Sequence, residues 1–235
     1  MWLLLSMALG GAHALQPPGQ FHGGEPVARH GERWFALTAD ADGARLTRTR
    51  LQVKTVVDEM LDVDGQATGQ AVSSAAASGA VLTYLRGPGL HEGPVTQAVS
   101  PDIGNNNEGG DSGLPAQTLR FGGRDYRIAT RCEADRATAN MYRCSIDLID
   151  GERRQTLVAM SGQRDATVAG SGMLLGSEAT PHLIFAGDLD RDGRLDLIFD
   201  TTDHYNVSRP TLFLSGTAAE GELVRMVAEY HSVGC

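Results

Sequence analysis

Four aspartates stand close together in a short polar stretch that separates two apolar runs. The runs cover residues 182–185 and 195–199, and their β-branched and aromatic side chains are typical of strands. The aspartates occupy positions one, three, five and nine of a loop with glycine at position six, namely Asp188, Asp190, Asp192, Asp196 and Gly193. This spacing predicts a strand-loop-strand hairpin whose carboxylates converge on one point.

Converging carboxylates are unfavourable unless a cation neutralises them, and calcium accepts six to eight oxygen ligands. We therefore expect calcium as the cofactor, held by the four aspartates and by the main-chain carbonyl of Arg194. Gly193 permits the sharp turn that this arrangement needs. Position twelve is Phe199 rather than glutamate, which disfavours a helical EF-hand. The alternative is an ordinary aspartate-rich turn without metal.

The segment from residue 181 to residue 215 resembles an FG-GAP or VCBS-type repeat, and its last part is the apolar strand 211–215. In that family the strand-loop-strand unit binds calcium, so the resemblance implies a calcium site but no particular activity. A propeller needs the unit to recur around a ring, whereas this chain carries one copy.

Strand signals punctuated by Gly, Asp and Pro run along the chain, and no long segment has a 3.6-residue period. The fold class we expect is therefore all-β, as a sandwich or an irregular barrel. Residues 32–235 are predicted to form one β domain, with a possible internal boundary at 100–116. Residues 71–80 are predicted to be a loop, and residues 222–233 suit a strand or a short helix equally.

The chain begins with an apolar run, residues 1–14, that ends in Ala12-His13-Ala14, the small-x-small form of a signal-peptidase site. The run is too short for a membrane anchor, so we expect cleavage, no membrane span in the mature chain, and a periplasmic or secreted location. Residues 15–31, rich in Pro and Gly, are predicted to be a disordered leader.

Two of the three cysteines, Cys132 and Cys144, lie near the facing ends of two predicted strands. In an exported protein we expect a disulfide between them, which leaves Cys235 free or paired elsewhere.

The net charge of −9 argues against a nucleic-acid partner, which requires a basic surface. One strand does carry a basic face by its period of two, made of Arg48, Arg50, Gln52 and Lys54. That face suits either an anionic ligand or bulk solvent.

A polar cluster follows the second apolar run and is the candidate functional surface: Asp200, Asp203, His204 and Asn206. Either Asp200 or Asp203 would extend the metal shell, and His204 would titrate near neutrality. The alternative is a capped turn before Pro210. No catalytic residue is identified, and the partner is unknown. The function we expect is a structural or binding role; the alternatives are a secreted hydrolase or carbohydrate-active enzyme that uses this cluster, and a cell-surface adhesion module.

Overall fold

The computed structural model describes residues 12–40, 43–75, 80–100, 116–165 and 172–234. Within these ranges the secondary structure is entirely β, as the sequence predicts. The 18 strands are β1 (Ala14–Gln16), β2 (Gly19–Phe21), β3 (Arg33–Asp40), β4 (Gly43–Val56), β5 (Gly69–Ser74), β6 (Val81–Arg86), β7 (Gly93–Gln97), β8 (Ala116–Phe121), β9 (Arg124–Ala134), β10 (Met141–Asp150), β11 (Arg153–Arg164), β12 (Met173–Leu175), β13 (His182–Asp188), β14 (Asp196–Asp200), β15 (Val207–Ser208), β16 (Pro210–Leu214), β17 (Arg225–Glu229) and β18 (Ser232–Val233). No helix in the described ranges has the length and apolar character needed to cross a membrane.

An 11-stranded sheet curls into a nearly closed barrel. Its main path is β1-β6-β3-β4-β7-β13-β14-β16-β17, and β5 and β2 extend it from β4. The first strand of the path, β1, packs against β16 and β17, which brings the two ends of the path together. The expectation of an irregular barrel is therefore confirmed.

A second, five-stranded sheet in the order β12-β11-β10-β9-β8 forms a half-barrel. Cys132 in β9 and Cys144 in β10 are directly paired across it and form the predicted disulfide. A third sheet joins β15 to β18 only.

The strand β14 is buried on both faces because it separates two hydrophobic cores. Leu197 and Phe199 pack into the core shared with the half-barrel. Ile198, which points the other way by the alternation of a strand, packs into the barrel interior. An uninterrupted apolar run is what a strand covered on both sides requires.

The prediction of a disordered leader at residues 15–31 is wrong. Leu15 is 1% exposed and lies in the barrel core, and β1 and β2 pair with β6 and β5. Main-chain pairing with distant strands outweighs the local Pro and Gly content. The strand β1 also spans the predicted cleavage position, because Ala14 pairs with Arg86.

Two local predictions are also settled. Residues 71–74, at the start of the predicted loop 71–80, belong to the strand β5, and residues 225–229 form a strand rather than a helix. Residues 1–11, most of the 100–116 boundary and Cys235 lie outside the described residues.

Candidate metal centre

The loop between β13 and β14 gathers three carboxylates. One ligand atom from each of Asp188, Asp190 and Asp196 lies within 4.8 Å of the other two. The loop starts where the ladder ends, since Gly187 and Asp196 are the last paired residues of the hairpin. The predicted convergence is therefore present for three of the four aspartates.

Two residues with positive φ give the loop its shape: Arg191 at 64° and Gly193 at 80°. The turn is closed by main-chain donors, because the Gly193 amide donates to Asp188 Oδ2 at 3.0 Å. The Arg191 side chain reaches outward, and its Nη2 donates to the Glu92 carbonyl at 2.7 Å. This bond ties the loop to the segment before β7.

Asp196 is the buried member of the group, with no exposed surface. Its carboxylate accepts hydrogen bonds from the Leu189 amide at 2.7 Å and from the amide and hydroxyl of Ser215 at 2.8 and 2.9 Å. Burial raises the pKa of Asp196 to about 7, the nearby charge of Asp190 adds to this, and the Ser215 bonds oppose it.

Neither Asp190 nor Asp188 forms an ion pair with any residue that the structure describes. Burial raises the pKa of Asp190, and the charges of Asp192 and Asp188 raise it further. Asp188 Oδ1 is buried and has no hydrogen-bond partner among the described residues. A buried carboxylate oxygen of this kind needs a partner, and a cation among these oxygens would supply one. The residues present therefore fit a hard, oxygen-preferring metal ion.

Asp192 has a different environment. Its carboxylate forms an ion pair with Arg194, whose Nη2 lies 2.7 Å from Oδ2, and accepts from the Ser215 hydroxyl at 3.2 Å. It therefore stands outside the group of three. Arg194 is exposed beside it, and its side chain is committed to this ion pair.

Two residues of the site escape prediction from sequence: Ser215 and Gly216, just after β16. Ser215 Oγ bonds both Asp192 and Asp196. A Cβ at Gly216 would lie 2.3 Å from Asp190 Oδ2 and 3.3 Å from Asp192 Oδ2. The only sequence signal for them is a Ser-Gly pair after the third apolar strand. This pair can be assigned to the site only when β16 is known to pair with β14.

Asp200 does not extend the metal shell, contrary to prediction. It lies at the opposite end of β14 from Asp196, roughly 13 Å away by the rise of a strand. Its Oδ1 accepts from the amides of Thr202 and Arg209, and its Oδ2 accepts from the Ser208 hydroxyl. Asp200 therefore holds a turn.

The other residues of the predicted functional surface lie in two separate clefts. Asp203 pairs with Arg209 at 2.9 Å, and His204 stacks on Tyr205 with ring centroids 4.6 Å apart. Asp203 and His204 line a shallow cleft beside β11, whereas Asn206 lines a different cleft together with His22. The residues 200–206 do not converge on one pocket.

No protein-family model, curated protein or solved structure matches the chain.

Proposed function

We propose that this chain is an exported calcium-binding β protein in which the ion has a structural role. The observation that carries the proposal is the group of three carboxylates, Asp188, Asp190 and Asp196, with a buried oxygen of Asp188 left unpartnered among the described residues. Carboxylate oxygens suit a hard cation, and calcium tolerates the irregular geometry of a flexible loop better than magnesium does.

A bound ion would neutralise charge where three parts of the barrel meet. The loop closes the β13–β14 hairpin, Ser215 brings the end of β16 to it, and Arg191 ties it to the segment before β7. These contacts support a structural role, since an ion here would hold together segments that are distant in sequence.

Export is supported by two features. The apolar start of the chain has the form of a signal peptide, and the Cys132–Cys144 disulfide is compatible with an oxidising compartment. With a dissociation constant of about 10 μM and about 1 mM free calcium, binding would add roughly 2.7 kcal/mol to the stability.

A structural role agrees better with the geometry than hydrolysis does. Asp200 is saturated by hydrogen bonds within its own turn, and the cluster that follows it faces two clefts. The adhesion alternative rests on the exposed apolar side chains of Val57, Met60 and Tyr205, which line one cleft, and no contact identifies a partner for them among the described residues.

The test is calorimetric titration of the purified protein with calcium and, separately, magnesium. We expect calcium-selective binding that is lost in Asp190→Ala. Asp203→Ala is the matched control, because it removes an aspartate that lies outside the group of three and is paired with Arg209. Absence of calcium binding, or equal binding in both variants, would reject the proposal.

A further inference from the structure

A second polar site lies at the rim of the barrel, far along the chain from the acidic loop. The β3–β4 hairpin carries the rows Ala39–Ala44 and Leu37–Leu46 on the face that lines the barrel interior. Because alternate residues share a face, the next rows on that face are Phe35–Arg48 and Arg33–Arg50. The inner face of the barrel therefore continues into arginines at its rim.

Arg33 and Arg50 are directly opposite each other in the ladder. Like charges in this position destabilise a strand pair. No carboxylate of the described residues lies within salt-bridge distance of either side chain, although the protein as a whole is acidic. Arg50 donates one bond to the Gly31 carbonyl at 2.9 Å, which leaves its other donors for a ligand.

The third arginine of the group, Arg48, is only weakly engaged. Its Nε lies 3.6 Å from Glu92, and both side chains are mostly exposed. Its guanidinium lies 5.8 Å from the ring centre of Phe35. Arg48 thus lies over a half-buried aromatic ring, and Arg33 and Arg50 form the next row of the same face.

These four residues, together with Trp34 and Thr49 of the same hairpin, line an open surface cleft of about 550 Å³. That volume lies in the range of small-molecule sites. Guanidinium groups bind carboxylate and phosphate in a forked, bidentate geometry, and an apolar body beside the anion would cover the Phe35 ring.

We propose that the cleft formed by Arg33, Phe35, Arg48 and Arg50 binds a small anion that carries an aromatic or apolar body. The oxyanion is a carboxylate or a phosphate, and it bridges Arg33 and Arg50. Neither Arg33 nor Arg50 forms a hydrogen bond or ion pair with the acidic loop among the described residues, so the proposal does not rest on the proposed calcium site.

The experiment is calorimetric titration of the purified protein, in chelator, with phenyl phosphate, benzoate, inorganic phosphate and benzyl alcohol. We expect phenyl phosphate or benzoate to bind, and whichever binds more tightly identifies the oxyanion. Inorganic phosphate should bind at least about tenfold more weakly than the better of these two, and the uncharged alcohol should not bind. No binding of either aromatic anion up to about 10 mM, beyond the weak end of ordinary affinities, would overturn the proposal.

Variants locate the site. Arg33→Gln and Arg50→Gln should each weaken binding about tenfold or more, since each removes a charge-assisted contact. Lys54→Gln is the matched control, because Lys54 is an exposed cation on the same strand face and outside the cleft. Asp190→Ala should bind the anion unchanged. Equal losses of anion affinity in Arg33→Gln and Lys54→Gln would indicate nonspecific electrostatic attraction and would overturn the proposal.

Folding does not confound the result. Removing one of two opposed like charges should leave the melting temperature unchanged or raise it. A fall of several degrees in both arginine variants would mean that these side chains hold the hairpin together, and this would also overturn the proposal.

Discussion

Ser215 donates its hydroxyl to Asp196 Oδ1 at 2.9 Å, and its amide donates to the same oxygen at 2.8 Å. Both residues are buried, and 19 positions separate them in the chain. The bond joins the start of β14 to the end of β16, beside the group of carboxylates.

Ser215→Ala should therefore destabilise the protein. It removes one hydrogen bond to a buried carboxylate, which costs about 1–3 kcal/mol. Denaturant unfolding in calcium and in chelator measures the loss. Thr217→Ala is the control, since within the described ranges the Thr217 hydroxyl bonds the Leu214 carbonyl and no carboxylate. Equal stability of both variants would show that the Ser215 bond contributes nothing.

Gly216→Ala should weaken calcium binding by about tenfold or more while the metal-free protein stays folded. The new Cβ would lie 2.3 Å from Asp190 Oδ2, so the carboxylate must swing away from its partners. An affinity change of tenfold corresponds to about 1.4 kcal/mol. Calorimetry measures the affinity and circular dichroism checks the fold. Unchanged affinity would place the ion away from Asp190.

The stability should depend on pH through His22 and Asp58, whose Nδ1 and Oδ2 lie 2.5 Å apart. This hydrogen bond, more than any other interaction, raises the pKa of His22 and lowers the pKa of Asp58. The histidine contribution is complete below 6.5, the ordinary pKa of a histidine, and is lost as the pH rises through the raised pKa of the folded state. The aspartate contribution is complete above 3.8, the ordinary pKa of an aspartate, and is lost as the pH falls through the lowered pKa of the folded state.

We therefore expect the melting temperature of the wild type to fall relative to that of His22→Gln as the pH rises above 6.5, the ordinary pKa of a histidine, and through the raised pKa of the folded state. Calcium is kept saturating, so that the acidic loop does not contribute. Parallel pH profiles for the two proteins would show that the pair does not stabilise the fold.

Loss of the disulfide should lower the stability without changing the metal site. The bond closes a loop with a sequence separation of 12, for which chain entropy gives about 3 kcal/mol. The double variant Cys132→Ser, Cys144→Ser should unfold at lower denaturant concentration and keep its calcium affinity, because the bond lies in the half-barrel. A loss of calcium affinity in the double variant would contradict this prediction, because it would show that the half-barrel and the metal site are coupled.

The local part of the site is predictable from sequence and the distant part is not. Aspartate spacing between two apolar runs predicts the hairpin and the approach of Asp188, Asp190 and Asp196, since all three lie in one hairpin, at the strand ends or in the turn. Ser215 and Gly216 join them through the β14–β16 ladder, and no local pattern encodes that pairing.

Pairing between distant strands, which no local pattern encodes, also explains the predictions that are wrong elsewhere in the chain. Residues 15–31 have the composition of a loop, yet Leu15 is buried because β1 completes the barrel beside β6. Asp200 continues the acidic spacing in sequence, but the length of β14 carries it to the far end of the strand. The half-barrel could not be separated from the barrel, because both sheets are built from similar strands.

The burial of β14 on both faces has a consequence for how the hairpin is specified. A shift of one residue would turn Leu197 and Phe199 into the barrel and send Ile198 to the half-barrel, so each core would receive side chains of the wrong size and number. The same shift would pull Asp196 away from Ser215 and Asp200 away from Arg209. The register of β14 is therefore fixed by packing into two cores and by the hydrogen bonds of Asp196 and Asp200. Each of its five positions takes part in one of these constraints.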